Sequence, residues 1–251
     1  ITYIEHFDPS LVSEIIFLVD KGDKETLLTI IDNLPHSDIA DIINLLKPSE
    51  RESFVSLIKD KFQAEILSDL EETVREEVIH YLGYNFVANL LLKLDTDDAV
   101  HVIEDLEDDE KNIILQKVPI NEREEIKSSL NYPDDSAGRL MNLDFVSLPP
   151  HWNVGQAIDF LRSNVELPNE FYEIYLVDPS NKPQGALLLS SLLRSDRDIN
   201  LQDIKSNHFV TINSDLDKEI VAIEFERFDL VSAPVVDENG RLIGVITADD
   251  I

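Results

Sequence analysis

The chain contains no cysteine. Disulfides, thiolate metal sites and a cysteine nucleophile are therefore excluded, and the absence fits a reducing compartment without requiring one. Long apolar runs are missing too. The longest, LVSEIIFLV and GALLLSSLL, fall well short of the ~20 apolar residues that a spanning helix needs. No signal peptide is expected at the start. Signatures of common chemistries are equally absent: there is no P-loop, H-E-x-x-H, G-x-S-x-G or glycine-rich dinucleotide turn. The six histidines (6, 36, 80, 101, 151 and 208) are scattered without pairing at ligand spacing. Catalysis is not expected. Basic residues are scarce as well: Lys and Arg total 21 against 51 Asp and Glu, a formal net charge of −30. Such a surface repels phosphate backbones and anionic lipid, which argues against nucleic-acid partners and polybasic membrane docking. Solubility in high salt and cation binding both account for the acidity. Salt-adapted surfaces usually avoid so many large aliphatics as this chain, 43% hydrophobic, carries, and cation binding is the sharper reading.

What is present organises the chain into two halves, and 251 residues are enough for two modest domains with real cores. In the first half DIADIINLL (38–46), FQAEILSDL (62–70) and FVANLLLKL (86–94) align with a 24-residue period. Ala40, Ala64 and Ala88 coincide, as do Leu46, Leu70 and Leu94. The intervening stretches PSERESFVSLI (48–58), ETVREEVIHYL (72–82) and TDDAVHVIEDL (96–106) align as well. Ser49, Thr73 and Asp97 share one position and are expected to be N-caps. Ser49 with Glu52, and Thr73 with Glu76, have capping-box spacing. Each unit predicts two short helices that bury their apolar faces only by stacking, giving an all-α superhelical repeat over 1–130. Acid gathers at the turns EDLEDDE, LDTDD and DLEETVREE; solvated helix starts account for any single one of these carboxylates.

Pro133 and Gly138 break the helical pattern, and residues 131–138 are expected to be a linker. From 139 the pattern becomes α/β. FVSLP (145–149), the helix VGQAIDFLRSN (154–164), EIYLVD (173–178) and ALLL with a short helix SSLLRS form one copy. FVTINS (209–214), DKEIVAIEFERF (217–228), SAPVVD (232–237) and RLIGVIT (241–247) form the other. YLVDPSNKPQGALLL matches APVVDENGRLIGVIT as strand–turn–strand, with Gly185 and Gly244 equivalent.

These residues resemble a tandem pair of CBS domains, copy 1 over 139–200 and copy 2 over 201–251, the clearer match being APVVDENGRLIGVITADD. The order of helical repeat and CBS pair, the acidity, and the segment YPDDSAGRLMNLDFVSL (132–148) together resemble the MgtE family of Mg²⁺ channels, whose junction reads Y-x-x-D-x-A-G-x-L-M. The resemblance implies the Mg²⁺-sensing part of a membrane magnesium channel or transporter, on the cytoplasmic face of the membrane. It also implies transmembrane pore helices after Ile251 and a homodimer formed through the CBS domains.

By the same resemblance, Mg²⁺ bridges acidic faces of the helical domain and the CBS pair. Mg²⁺ prefers carboxylates, backbone carbonyls and retained waters, so no closed cage is needed. Glu65 and Asp97 match ligands of the helical domain, and Asp98 stands beside Asp97 as an additional donor. His101 stands where the family carries an Asp, and neutral imidazole is a poor Mg²⁺ ligand. Gly138 matches a residue offering its carbonyl. In copy 2 Asp217, Glu219 and Asp229 match sensing acids, Glu226 would offer mainly its carbonyl, and Asp250 matches the partner of Asp97 across the gap. CBS clefts also hold adenine nucleotides such as ATP; Thr247 and Asp250 have the spacing of the ribose-binding pair, whereas copy 1 has Ser190 and Ser191 there. The competing functional reading is thus an adenine-nucleotide-binding CBS module of another transporter. Structural roles compete residue by residue: Asp217 and Asp97 are natural helix caps, while Asp229 at a helix end opposes the macrodipole.

Overall fold

A computed structural model of the chain describes residues 9–165, 167–168, 171–206 and 209–251; His6 and His208 lie outside them. The described residues divide into two units, the second beginning at Glu125.

The first unit is all helical: α1 (Pro9–Lys21), α2 (Lys24–Ile31), α3 (His36–Leu45), α4 (Pro48–Ile58), α5 (Glu65–Ser68), α6 (Glu72–Leu82), α7 (Tyr84–Leu91), α8 (Thr96–Ile103) and α9 (Asp108–Leu115), leading into α10 (Ile120–Leu130). Equivalent helices of the first two copies pack on one another, α3 on α5 and α4 on α6. The repeated alanines are buried in this stack: Ala40, Ala64 and Ala88 are at most 2% exposed. The middle copy departs from the pattern. Its first helix shrinks to the four residues of α5, preceded by a 3₁₀ turn at Lys59–Lys61. Between α6 and α7 the only connecting residue is Gly83, at φ +81°, a left-handed conformation that costs glycine little.

The predicted caps are displaced. Helices α4, α6 and α8 start at Pro48, Glu72 and Thr96, so Ser49, Thr73 and Asp97 are second helical residues, one step inside the turn they were expected to cap. Pro48 accounts for the first case: its fixed φ and missing N–H suit the first helical position. Glu50, not Glu52, reaches back to the backbone N–H of Lys47, at 3.1 Å.

A second 24-residue signal is visible only in the packing. Arg51 and Arg75 occupy one repeat position and are 6% and 3% exposed. Arg51 donates to the carbonyls of Ile43 (3.0 Å) and Leu46 (2.9 Å) at the end of α3, and pairs with Glu77 in the next copy. Arg75 donates to His101 Nε2 (2.6 Å) and Asp105 (2.9 Å), again one copy on. Each buried guanidinium thus ties one repeat to the following one, and Arg51 also holds carbonyls of its own repeat.

The second unit holds two three-stranded sheets of identical topology. Strand β1 (Ser147–Leu148) runs parallel to β2 (Glu173–Val177), which pairs antiparallel with β3 (Pro183–Leu188). Strands β4 (Ile212–Asn213), β5 (Ser232–Val236) and β6 (Leu242–Thr247) repeat the pattern. Even the irregularities coincide: a bulge follows Leu176 opposite Gly185, and another follows Val235 opposite Gly244. Helices α12 (Val154–Ser163), α13 (Leu189–Arg194) and α14 (Leu201–Ile204) accompany the first sheet, α11 (Ala137–Leu140) and α15 (Lys218–Phe228) the second. Strands β1 and β4 span two residues each, shorter than FVSLP and FVTINS predict.

The packing cuts across the sequence-based boundaries. Residues 132–143, divided above between a linker and copy 1, put Tyr132, Ala137, Leu140, Met141 and Leu143 into the core of the second sheet. Leu201 and Ile204, assigned above to copy 2, belong to the core of the first. Asn142 exchanges backbone hydrogen bonds with Val245 (2.8 and 2.9 Å), and Ser206 donates to Ala186 at 2.7 Å. The segment that precedes each module therefore completes the other. Chain order does not reveal this, because a hydrophobic segment reads the same whichever sheet it covers.

Between the sheets lies a third cluster of Tyr175, Ala186, Leu242 and Val245, flanked by Phe145, Val177 and Phe209. Tyr175, 1% exposed, places its hydroxyl 2.9 Å from Ser232 Oγ, which in turn donates to Glu173 at 2.6 Å. Burial, above all, pushes the Tyr175 phenol far above its ordinary value. Asn181 and Leu242 bond in both directions, each contact 2.8 Å.

Candidate functional site

The acids singled out from sequence fall into several separate groups. In the first unit Glu65 opens α5 and is exposed, while Asp97 and Asp98 are half-buried in the first turn of α8. There the helix macrodipole favours carboxylates whether or not an ion is present. His101, one turn on, is engaged at both ring nitrogens, by Arg75 and by Glu104 (2.9 Å). A guanidinium only donates, so Nε2 accepts from Arg75 and Nδ1–H donates to Glu104.

In the second unit Asp217 is the N-cap of α15, its side chain accepting from the Glu219 N–H at 2.9 Å. Residues Ser136 and Asp217 form a bridge, and the N–H groups of Ala137 and Gly138 donate to Leu216 (2.7 Å) and Ser214 (2.8 Å). Backbone pairing thus brings Gly138 and Asp217 to one place. A Cβ on Gly138 would lie 2.4 Å from the Tyr132 ring, so close packing requires glycine here whatever its carbonyl does.

Glu226 and Asp229 lie at the opposite end of α15. From Asp217 to Asp229 the helical rise is about 18 Å, so the two ends cannot share one ion. Asp229 sits at φ +52°, ψ +49°, left-handed and non-glycine, a conformation costing roughly 1–2 kcal/mol. The Ala248 N–H donates to Val231 at 3.0 Å, which draws the Asp229 corner and the Thr247–Asp250 turn to one edge of the sheet. Asp250 Oδ2 accepts from the Thr247 N–H (2.7 Å) and hydroxyl (2.9 Å), and Asp249 lies 2.6 Å from the same hydroxyl. Thr247 and Asp250 therefore meet each other directly. In copy 1, Ser190 and Ser191 fall inside α13.

One cluster was not singled out from sequence. Glu76 and His80 on α6 and Glu110 on α9 bring their donor atoms within 4.8 Å of one another. His80 Nε2 is 2.7 Å and the Tyr84 hydroxyl 2.5 Å from Glu110 Oε1. The Tyr84 hydrogen bond, followed by that of His80, holds the Glu110 carboxyl below its usual range. The available signal was Glu76 and His80 at i, i+4, one face of one helix; their third partner lies 30 residues beyond His80.

Residues 34–135 match the family model for the MgtE intracellular N domain, and residues 201–251 match that of the CBS domain. The magnesium transporter MgtE of Bacillus subtilis is 28% identical over 241 residues, covering 96% of this chain and 53% of the relative. The MgtE of Thermus thermophilus is 33% identical over 129 residues, 51% of this chain and 29% of that protein. The chain thus spans about half the length of the Bacillus relative. Among solved structures, the cytosolic domain of the Mg²⁺ channel MgtE in complex with ATP aligns with a TM-score of 0.85 at 26% identity, covering 95% of this chain and 98% of that one. The soluble part of a magnesium transporter aligns at 0.78 and 23% identity, a likeness of fold. The fold is accordingly a helical N domain followed by a CBS pair. No helix among the described residues is long and apolar enough to cross a membrane.

Proposed function

We propose that this chain, an MgtE intracellular N domain joined to a CBS pair, is the cytosolic Mg²⁺-responsive regulatory region of a membrane magnesium channel or transporter. The observation that carries the reading is the near-complete structural correspondence with the cytosolic domain of a Mg²⁺ channel. The donor chemistry supports it: Asp217, Glu219 and Asp229 are exposed carboxylates and Glu226 offers mainly its backbone carbonyl, the hard oxygen donors that Mg²⁺ takes while keeping part of its water shell. Mg²⁺ held between these acids and Glu65, Asp97 and Asp98 of the helical unit favours a compact arrangement and a closed pore. Asp250 and the Gly138 carbonyl complete the set. An ion shifts the balance only by its differential affinity for the two arrangements, so several weak sites acting together sharpen the response. Such a chain works as a switch at the inner membrane surface, as a homodimer through its CBS modules, and has no catalytic step.

Small-angle scattering of the chain in chelator and in millimolar Mg²⁺, at matched ionic strength, tests this. The radius of gyration should fall with Mg²⁺, and the fall should be smaller in a D217N/E219Q/D229N variant. An unchanged radius in the native chain refutes the mechanism.

A second reading has its own support: a relative's cytosolic domain binds ATP, and Thr247 with Asp250 forms the expected pair. Calorimetry with ATP and Mg²⁺ titrated separately distinguishes the two. Tight nucleotide binding with no Mg²⁺ heat would favour the nucleotide sensor.

A further inference from the structure

The cluster on α6 and α9 differs in kind from the carboxylates invoked above, because one of its three donors is an imidazole nitrogen. We infer that Glu76, His80 and Glu110 form a mixed nitrogen–oxygen site for a first-row transition-metal dication, with Zn²⁺ as the representative, separate from any Mg²⁺ response.

Three observations carry this. The first is geometric. Two ligands each ~2.1 Å from a tetrahedral ion are about 3.4 Å apart. His80 Nε2 and Glu110 Oε1, 2.7 Å apart, open by about 0.7 Å to admit an ion, and a side-chain adjustment of Glu76, whose donor lies within 4.8 Å of both, completes the set. The second is orientation. Tyr84 donates to Glu110 Oε1 at 2.5 Å, and its ring meets the His80 ring edge-on at 6.2 Å between centroids. Hydrogen-bonded partners of this kind fix the direction of a metal-binding carboxylate. The third is comparison with two other described histidines. His36 faces Asp69 at 2.6 Å. His101 has a guanidinium against its ring, which would repel an ion. His80 alone belongs to a described cluster with two carboxylates. Mg²⁺ has little use for imidazole, whereas Zn²⁺, Co²⁺ and Ni²⁺ favour it.

The full chain is titrated with Zn²⁺ by calorimetry in a large excess of Mg²⁺. One Zn²⁺ equivalent should persist, H80Q and E110Q should each weaken it by at least about tenfold, and H36Q should leave it unchanged. Because a variant can alter folding, the unmodified chain is also followed by NMR with trace Mn²⁺, which should broaden the His80 ring signals before those of His36. The inference is overturned if Zn²⁺ does not bind, if excess Mg²⁺ displaces it, if H80Q binds as tightly as the native chain, or if His80 and His36 broaden together. None of these outcomes bears on the Mg²⁺ scattering experiment, so the two proposals fail separately.

Discussion

Substituting Gly244 by alanine tests the exchange of segments between the two CBS modules. A Cβ at this position would lie 2.6 Å from Met141 Sδ, 2.8 Å from Met141 Cγ and 2.9 Å from the Asn142 carbonyl oxygen. Met141 can swing aside, but the Asn142 oxygen cannot move without disturbing the reciprocal bonds to Val245, of 2.8 and 2.9 Å. Overpacking of a filled core costs about 1–3 kcal/mol, and two weakened backbone hydrogen bonds add about 0.5 kcal/mol each. We expect G244A to destabilise the second unit by about 2–4 kcal/mol, read from denaturant unfolding. Amide exchange should accelerate at Asn142 and Val245 first. The double variant M141A/G244A should lose less than the sum of the single variants, with a coupling of about 1 kcal/mol, because the methyl then enters the space vacated by the methionine. A G244A loss below about 0.5 kcal/mol, or additive losses, would show that residues 141–142 do not close the second sheet.

Two further outcomes follow from individual side chains. Y175F removes the hydroxyl that meets Ser232 and should cost about 1 kcal/mol at neutral pH by denaturant midpoint. The Tyr175 phenol is raised in the fold, chiefly by burial, so the native chain keeps its full stability below the ordinary phenol value of ~10 and loses it as pH rises beyond; the gap between native and Y175F should therefore close in alkali, with Tyr175 last to give phenolate absorbance. D229G relieves a left-handed aspartate and should stabilise the unliganded chain by about 0.5–1 kcal/mol while weakening the Mg²⁺-dependent compaction; a variant that is less stable, or that responds fully to Mg²⁺, contradicts the role given to this residue.

The order of elements was legible in the sequence because it rests on local periodicity and chain punctuation. Apolar residues at helical spacing mark α3 to α9, and the repeated strand–turn–strand pattern marks β2–β3 and β5–β6. Asp178 and Asp237 show how local that signal is: each accepts from backbone N–H groups two and four residues on, building the same turn twice. The N-caps fall two residues before Ser49, Thr73 and Asp97, at Lys47, Glu71 and Asp95; at Ser49 the reason is that capping preference alone does not weigh a proline at the first helical position. Among the site residues, Asp217 has a structural role as an N-cap that stands independently of any ion, and Gly138 is required by the ring of Tyr132.

The sequence by itself determined the two-part architecture, the acidity and the repeats, all properties of neighbouring residues and of their counts. Tertiary structure alone decided which module each short segment completes, that Arg51 and Arg75 fasten one repeat to the next, and that Glu110 meets His80 across 30 residues. The reason is physical. Hydrophobic burial is nondirectional and leaves the partner of an apolar segment open, whereas the buried guanidinium and the Tyr84–Glu110–His80 contact depend on atoms that only the folded chain brings within hydrogen-bonding distance.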